Sequence, residues 1–232
     1  MKLLMAVPAL LLASTALRAD TTEERLRESA SVLEDLFSAP DRGIPQDLIN
    51  EAHCVVVVPS LKKAAFVIGG KYGRGFASCR DEKGRGWGAP AAIRIEGGSV
   101  GFQIGAAETD LVLLVMNQRG MDRLLQSKFT LGGEAEAAGG PVGRGATAQT
   151  DARMTAKILS YSRARGVFAG ASLQGATLRQ DLDENRLLYG RVLTNYEILK
   201  KRAVQTPAMA AELLRVLTRY SRAEAKDASA TQ

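Results

Sequence analysis

The sequence has few of the side chains that metal and nucleophile chemistry require. Its 232 residues include one histidine (His53), two cysteines (Cys54 and Cys79) and one tryptophan (Trp87). A zinc site would need carboxylates to complete its ligand set. A catalytic triad would have to use His53, which directly precedes an apolar segment, and no Gly-x-Ser-x-Gly elbow is present. We therefore predict a structural His53, no catalytic residue, no metal and no cofactor.

Two stretches begin like ligand-binding loops and then depart from the pattern. Residues 140–147 have the glycine spacing of a phosphate-binding loop, but Ala146 occupies the position of the lysine that must reach the phosphates. Residues 181–185 begin like a calcium loop, but Arg186 and Val192 replace the required glycine and the closing glutamate. We therefore expect a glycine-shaped loop at the first stretch and a capped turn at the second.

Long hydrophobic runs are also scarce, and the one present lies at the start. Residues 3–17 are mostly apolar, follow a single lysine and precede small residues, which is the pattern of a secretory signal peptide. The run is shorter than the roughly 20 residues that span a bilayer, so a retained anchor is the lesser alternative. Cleavage is expected after Ala16 or Ala19, and Ala19 is favoured because polar, acidic chain begins there. The prediction is a signal peptide at 1–19 and a periplasmic protein, free or peripheral on a membrane.

Basic side chains outnumber acidic ones only slightly. Without residues 1–19 the chain keeps 29 basic and 25 acidic side chains, a balance too diffuse to indicate nucleic-acid binding. Export would permit a disulfide between Cys54 and Cys79. A free buried thiol at Cys54 remains an equally good interpretation.

What the sequence does contain is a succession of short strands between two helices. Thr21 to Glu24 form a capping box for a first helix, expected to cover a sheet rather than enter a membrane because its charges are mixed. Pro207 begins a last helix. We expect Pro59 to end a doubly buried strand and Gly97-Gly98 to form a tight turn. The predicted strands are residues 55–58, 64–68, 76–79, 91–95, 100–104, 111–116, 155–161 and 167–173.

Basic residues and the tryptophan recur in the predicted turns, often beside glycine. Each basic side chain near an anionic membrane surface adds roughly 1 kcal/mol of attraction, so these residues are candidates for headgroup binding. The alternative is an ordinary solvated rim with Trp87 folded onto the core. The candidates are Lys62, Lys63, Lys71, Arg74, Lys83, Arg85, Trp87, Arg144, Arg163 and Arg165.

Several motifs, in order, make residues 45–195 similar to the SYLF domain family in its bacterial secreted type. The motifs lie at 52–75, 86–91, 97–105, 140–144, 160–163, 168–170, 183–185 and 189–190. The resemblance implies an α+β domain with a strongly curved, barrel-like antiparallel sheet and flanking N- and C-terminal helices. It also implies lipid binding rather than catalysis; eukaryotic members bind phosphoinositides and fungal members associate with actin patches. The implied organisation is a signal peptide (1–19), an N-terminal helix (20–44), the SYLF-like domain (45–195) and a C-terminal helix and tail (196–232).

The sequence therefore predicts an exported, non-enzymatic domain that binds anionic phospholipid headgroups at a membrane surface. The alternative is a structural or interaction protein of the envelope that binds another protein through a sheet edge or its helices. Nucleic acid is not expected as a partner, and actin is not expected outside the cytoplasm.

Overall fold

The fold is one large sheet with helices packed on it. The computed structural model describes residues 21–39, 43–66, 68–81, 86–100, 105–131, 137–140, 158–164, 167–170, 173 and 175–221. Helices α1 to α5 are Thr22–Ser38, Gln46–Glu51, Gln118–Leu124, Leu182–Tyr189 and Ala211–Ser221. A π-helical turn spans Tyr196–Lys200 and a 3-10 turn spans Ala208–Ala210. The predicted signal peptide lies outside the described residues.

Nine strands form the sheet. They are β1 Cys54–Phe66, β2 Ile68–Cys79, β3 Ala91–Val100, β4 Gly105–Val115, β5 Lys128–Thr130, β6 Ala137–Gly139, β7 Ile158–Ala164, β8 Val167–Gly170 and β9 Thr177–Gln180. Their order is β5-β9-β3-β2-β1-β4-β7-β6, and β8 pairs with the second half of β7. All pairs are antiparallel except β6 with β7.

The sheet curls around one of its faces. We call this the inner face, and its apolar cluster joins Phe129 of β5, at one end of the strand order, to Ile158 of β7, near the other. One continuous apolar cluster therefore extends along this face from one end of the strand order almost to the other. Helix α3 and the π-helical turn add Met121 and Leu199 to the same cluster. The predicted α+β class with a curved, barrel-like sheet is confirmed.

Helices α1, α2, α4 and α5 pack on the opposite, outer face. There Leu33 of α1 and Leu217 of α5 join Val57, Phe76 and Val112 of the sheet in a second buried cluster. Consecutive strand residues point to opposite faces, so a strand with both faces covered should be apolar throughout. The run Val55 to Val58 meets this condition, with every member at most 2% exposed.

The terminal helices follow the sequence expectations. Thr21 and Glu24 form the predicted reciprocal capping box at the start of α1. Leu26, Ala30 and Leu33 are buried, so α1 is a cover over the sheet. Pro207 precedes the 3-10 turn that leads into α5. Within the described ranges, no helix has the length and apolar content needed to cross a bilayer.

Two predicted strand ends are wrong. Strand β1 continues through Pro59 because the register shifts there by a bulge, with Ser60 in the left-handed region at φ 53°. The backbone N–H of Ser60 donates to Asp110 Oδ1 on β4 at 3.0 Å, which fixes the bulge. Gly97-Gly98 is not a turn; both glycines lie within β3 and pair with Lys71 and Gly70 of β2. The predicted strand at 100–104 lies almost wholly outside the described residues.

The Cys54–Cys79 disulfide is present. The two cysteines are directly opposite each other on β1 and β2, with Cα atoms 4.0 Å apart, and both are at most 1% exposed. The antiparallel register therefore brings together two thiols that are 25 residues apart in the chain.

Candidate functional site

The outer face of the sheet has a covered and an uncovered half. In the covered half, Phe76 and Ala92 lie under the helices. Toward the other end of the strands the same face carries Arg74 and Arg94, which are paired across β2 and β3, and then Tyr72 and Glu96, paired in the same way. Directly opposite residues share a face and alternate residues return to it. The uncovered half of the outer face is therefore polar and cationic.

Three of the predicted lysines have no ion-pair partner among the described residues. They lie at the ends of β1 and β2 that are remote from the helices, which we call the far end. Lys62 is exposed on the outer face opposite Tyr72, whose side chain is 50% exposed. Lys63 and Lys71 pair on the inner face. Burial, and secondarily the charge of Lys71, lower the pKa of Lys63. Within the described part of the chain, none of these lysines forms an ion pair.

Arg74, another predicted candidate, is instead part of a buried ion cluster. Its guanidinium lies 2.8 Å from Asp181 and 2.9 Å from Glu184, and Glu184 also pairs with Arg25 of α1 at 2.7 Å. Burial acts to lower the pKa of Arg74, but the hydrogen bond to Asp181 and the charge of Glu184 outweigh it and raise the pKa. Asp181 also caps α4 by accepting from the Glu184 N–H. This cluster ties α1, α4 and β2 together, so Arg74 acts in the fold.

Arg163 is neutralised in the same way. Its Nε lies 2.6 Å from Asp110 Oδ2 on the neighbouring strand, and its Nη1 pairs with Asp35 at the end of α1. Burial acts to lower the pKa of Arg163, and hydrogen bonds to both carboxylates raise it overall. Two carboxylates therefore accompany one cation at this position, which leaves no local positive charge for a headgroup.

The expectation that Trp87 lies at a surface is wrong. Its side chain is in the core beneath α5 at 9% exposure, with Nε1 donating to Ser221 Oγ at 3.1 Å. The guanidinium of Arg80 stacks over the ring at 4.4 Å from its centroid. The alternative interpretation of Trp87, folding onto the core, is the one that the structure supports.

The remaining predicted candidates lie outside the described residues. These are Lys83, Arg85, Arg144 and Arg165. Of the predicted glycine-shaped loop at 140–147, residues 141–147 lie outside them as well.

Sequence reasoning missed a row of cations on the uncovered outer face. Arg94 of β3, Arg179 of β9 and Lys128 of β5 are directly opposite one another on three adjacent strands. Glu96 lies between the two arginines, 2.9 Å from Arg94 Nε and 3.2 Å from Arg179 Nε. No local motif marks the row, because strand order and register alone bring these residues together.

A cleft of about 490 Å³ lies beside His53 on another part of the surface. Glu51, Arg80, Met121 and Arg202 contribute to its lining, which mixes charged side chains of both signs with polar and apolar ones. The backbone of His53 completes the strand ladder by donating to Val115 and accepting from Arg80. In the described ranges, no group of three or more His, Cys, Asp or Glu side chains is arranged to hold a metal ion.

Residues 96–220 match the family model Ysc84, described as "Las17-binding protein actin regulator". The chain belongs to the Ysc84 family. The SYLF resemblance inferred from the motifs is thereby confirmed.

The curated relatives support the same assignment. The chain is 34% identical to the rat SH3 domain-containing YSC84-like protein 1 over 79% of this chain and 54% of the relative. It is 37% identical to the SH3 domain-containing protein PJ696.02 of Schizosaccharomyces pombe over 75% of this chain and 40% of the relative. It is 32% identical to Protein YSC84 of Saccharomyces cerevisiae over 76% of this chain and 38% of the relative. The chain spans about half the length, or less, of these relatives.

Residues of the motif at 183–185 hold helix α4 on the sheet. Glu184 is the centre of the buried ion cluster. Asn185 accepts from the Ala92 N–H at 2.7 Å and donates to the Leu193 carbonyl and to Asn195. These bonds hold α4 against β3, and α4 marks the border of the uncovered half.

Proposed function

We propose that this Ysc84-family chain is an exported, non-enzymatic domain that binds anionic phospholipid headgroups at a membrane surface. The observation that carries the proposal is the open state of Lys62, Lys63 and Lys71 at the far end of β1 and β2. Arg74 and Arg163 are enclosed by carboxylates, whereas these three lysines have no ion-pair partner among the described residues.

The environment of Lys63 favours an anionic ligand. Two ammonium groups face each other across β1 and β2, and like charges placed directly opposite in a sheet are destabilising. Partial burial and this repulsion lower the pKa of Lys63. A phosphate between Lys63 and Lys71 would stabilise both charged forms, and a phospholipid headgroup supplies one.

Export is supported by two independent features. The signal-like pattern of residues 1–19 is one. The buried Cys54–Cys79 disulfide is the other, because such bonds persist in oxidising compartments and are rare in reducing ones. In this location cytoplasmic actin would not be met, although the family description refers to actin regulation.

The second candidate is an envelope protein that binds another protein. It is favoured by three exposed apolar side chains close together in sequence: Leu187 at 66%, Val192 at 58% and Tyr196 at 45%. A surface of this kind would bind through apolar contacts, and such binding responds weakly to salt.

Co-sedimentation separates the two candidates. The mature chain, residues 20–232, is mixed with vesicles of phosphatidylcholine alone or with added phosphatidylglycerol, at low and high salt. We expect binding only to the anionic vesicles and a steep loss at high salt, since the screening length falls from about 10 Å at 0.1 M to about 3 Å at 1 M. Absence of binding to anionic vesicles at low salt would overturn the lipid proposal and direct the search to a protein partner.

A further inference from the structure

We infer that the uncovered outer face of the sheet also faces the bilayer, with Arg94, Arg179 and Lys128 contacting headgroup phosphates. This inference rests on the proposed function and identifies residues that the sequence did not single out. It extends the site from Lys62 across the sheet to β5.

The register places the row on the same face as Lys62. Arg94 pairs with Arg179, and Arg179 with Lys128. Neighbouring strands are about 4.8 Å apart, so the row spans about 10 Å at the backbone. Two residues further along the strands, Glu96 on the same face is opposite Tyr72, and Tyr72 is opposite Lys62.

The inner face of these strands offers no comparable surface. Between the arginine row and the Glu96 row, Ile95, Leu178 and Phe129 point inward and are at most 2% exposed. A flat partner can therefore reach these strands only from the outer face. The half-exposed Tyr72 suits a membrane interface because its ring is apolar and its hydroxyl is polar.

The row is a poor arrangement for folding alone. Like charges directly opposite one another on neighbouring strands are destabilising. Glu96 is the one carboxylate within ion-pair distance of Arg94 or Arg179 in the described part of the chain. Lys128 is exposed and has no ion pair there. An anionic surface would supply the missing negative charge.

Acidic side chains lie beside the row on the same face, and they would repel an anionic bilayer. Glu96 and Glu108 lie on the same face, Glu108 opposite Lys62 on β4. The four cations on this face that carboxylates do not enclose, namely Lys62, Arg94, Lys128 and Arg179, outnumber these two carboxylates, so the sum of these six charges is positive. Glu96 should therefore weaken binding while it holds the two arginines in place.

The first arm of the test removes two cations from the row. Arg179→Gln/Lys128→Gln is compared with Arg191→Gln/Lys201→Gln, which removes the same charge from exposed side chains flanking the π-helical turn. Partitioning onto phosphatidylglycerol vesicles should fall about 25-fold for the first variant, at about fivefold per cation, and should stay near wild type for the second. Thermal unfolding verifies that both variants fold.

The second arm predicts a gain, and thermal unfolding verifies that this variant folds as well. Glu96→Gln removes a negative charge from the face and should increase partitioning about fivefold. If the wild type binds and Arg179→Gln/Lys128→Gln loses no more than its control, or Glu96→Gln does not bind more tightly, this inference falls and the proposed function stands. If the wild type does not bind anionic vesicles, the proposed function itself falls.

Discussion

The covered and uncovered halves of the outer sheet face use the same side chains in opposite ways. At the border with the helices, two arginines and two carboxylates form a closed cluster of Arg25, Arg74, Asp181 and Glu184. Beyond the helices, Lys62 and Lys128 have no ion pair among the described residues, and Arg94 and Arg179 share one carboxylate. Folding accounts for the first arrangement and does not account for the second. A cation on this sheet is therefore a binding candidate only if carboxylates do not enclose it.

The largest expected effect comes from opening the closed cluster. Glu184→Gln leaves Arg25 and Arg74 facing a neutral amide, and removing one partner of a buried pair costs about 3–5 kcal/mol. The free energy of unfolding, measured by denaturant titration, should fall by that amount.

The matched control is Glu23→Gln, which breaks an exposed pair with Arg27 on α1. Exposed pairs contribute less than about 1 kcal/mol, so this variant should stay close to wild type. Equal losses for the two variants would show that the cluster does not hold α1 and α4 on the sheet.

Two glycines of β2 give the next contrast. A Cβ at Gly75 would lie 1.9 Å from the Val57 carbonyl oxygen, whereas a Cβ at Gly70 would meet nothing within 4 Å. Gly75→Ala should lower stability by about 2–3 kcal/mol through overpacking. Gly70→Ala should raise it by about 0.5–1 kcal/mol, because glycine is disfavoured inside a strand. Thermal unfolding would measure both changes in stability. A loss of stability for Gly70→Ala would contradict the finding that a Cβ has free space at this position.

A smaller effect is expected at Trp87, in the covered half. Trp87→Phe removes the hydrogen bond to Ser221 and weakens the stacking with Arg80, which together contribute about 1–2 kcal/mol. Vesicle partitioning should not change, because the ring is buried. The intrinsic emission of this single tryptophan should likewise stay constant as vesicles are added to wild-type protein; a shift on binding would place Trp87 at the membrane.

The features of the fold that depend on a few adjacent residues could be predicted from the sequence. The capping box at Thr21, the doubly buried run at Val55 and the proline before α5 were all readable, because each depends on a few adjacent residues. The effect of Pro59 was predicted wrongly because it depends on the bulge at Ser60, which is held by Asp110, 50 residues from Ser60. Helix α4 was missed because residues 181–185 were interpreted only as a turn.

The site was less predictable than the fold. Lysines in predicted turns could be identified as candidates, but whether each cation is enclosed depends on distant partners. Asp181 is 107 residues from Arg74, and Asp35 is 128 residues from Arg163. The row of Arg94, Arg179 and Lys128 likewise exists only through strand order. Such information enters with the tertiary structure.

The most direct test compares two cations that the sequence ranked alike. Lys62→Gln removes a positive charge that has no ion-pair partner among the described residues. Arg163→Gln removes one that is enclosed by Asp35 and Asp110. With unfolding temperatures verified, partitioning onto phosphatidylglycerol vesicles at low salt should fall about fivefold for Lys62→Gln and by clearly less for Arg163→Gln. Equal losses for the two variants, or a loss for Arg163→Gln alone, would contradict the claim that unenclosed cations form the binding surface.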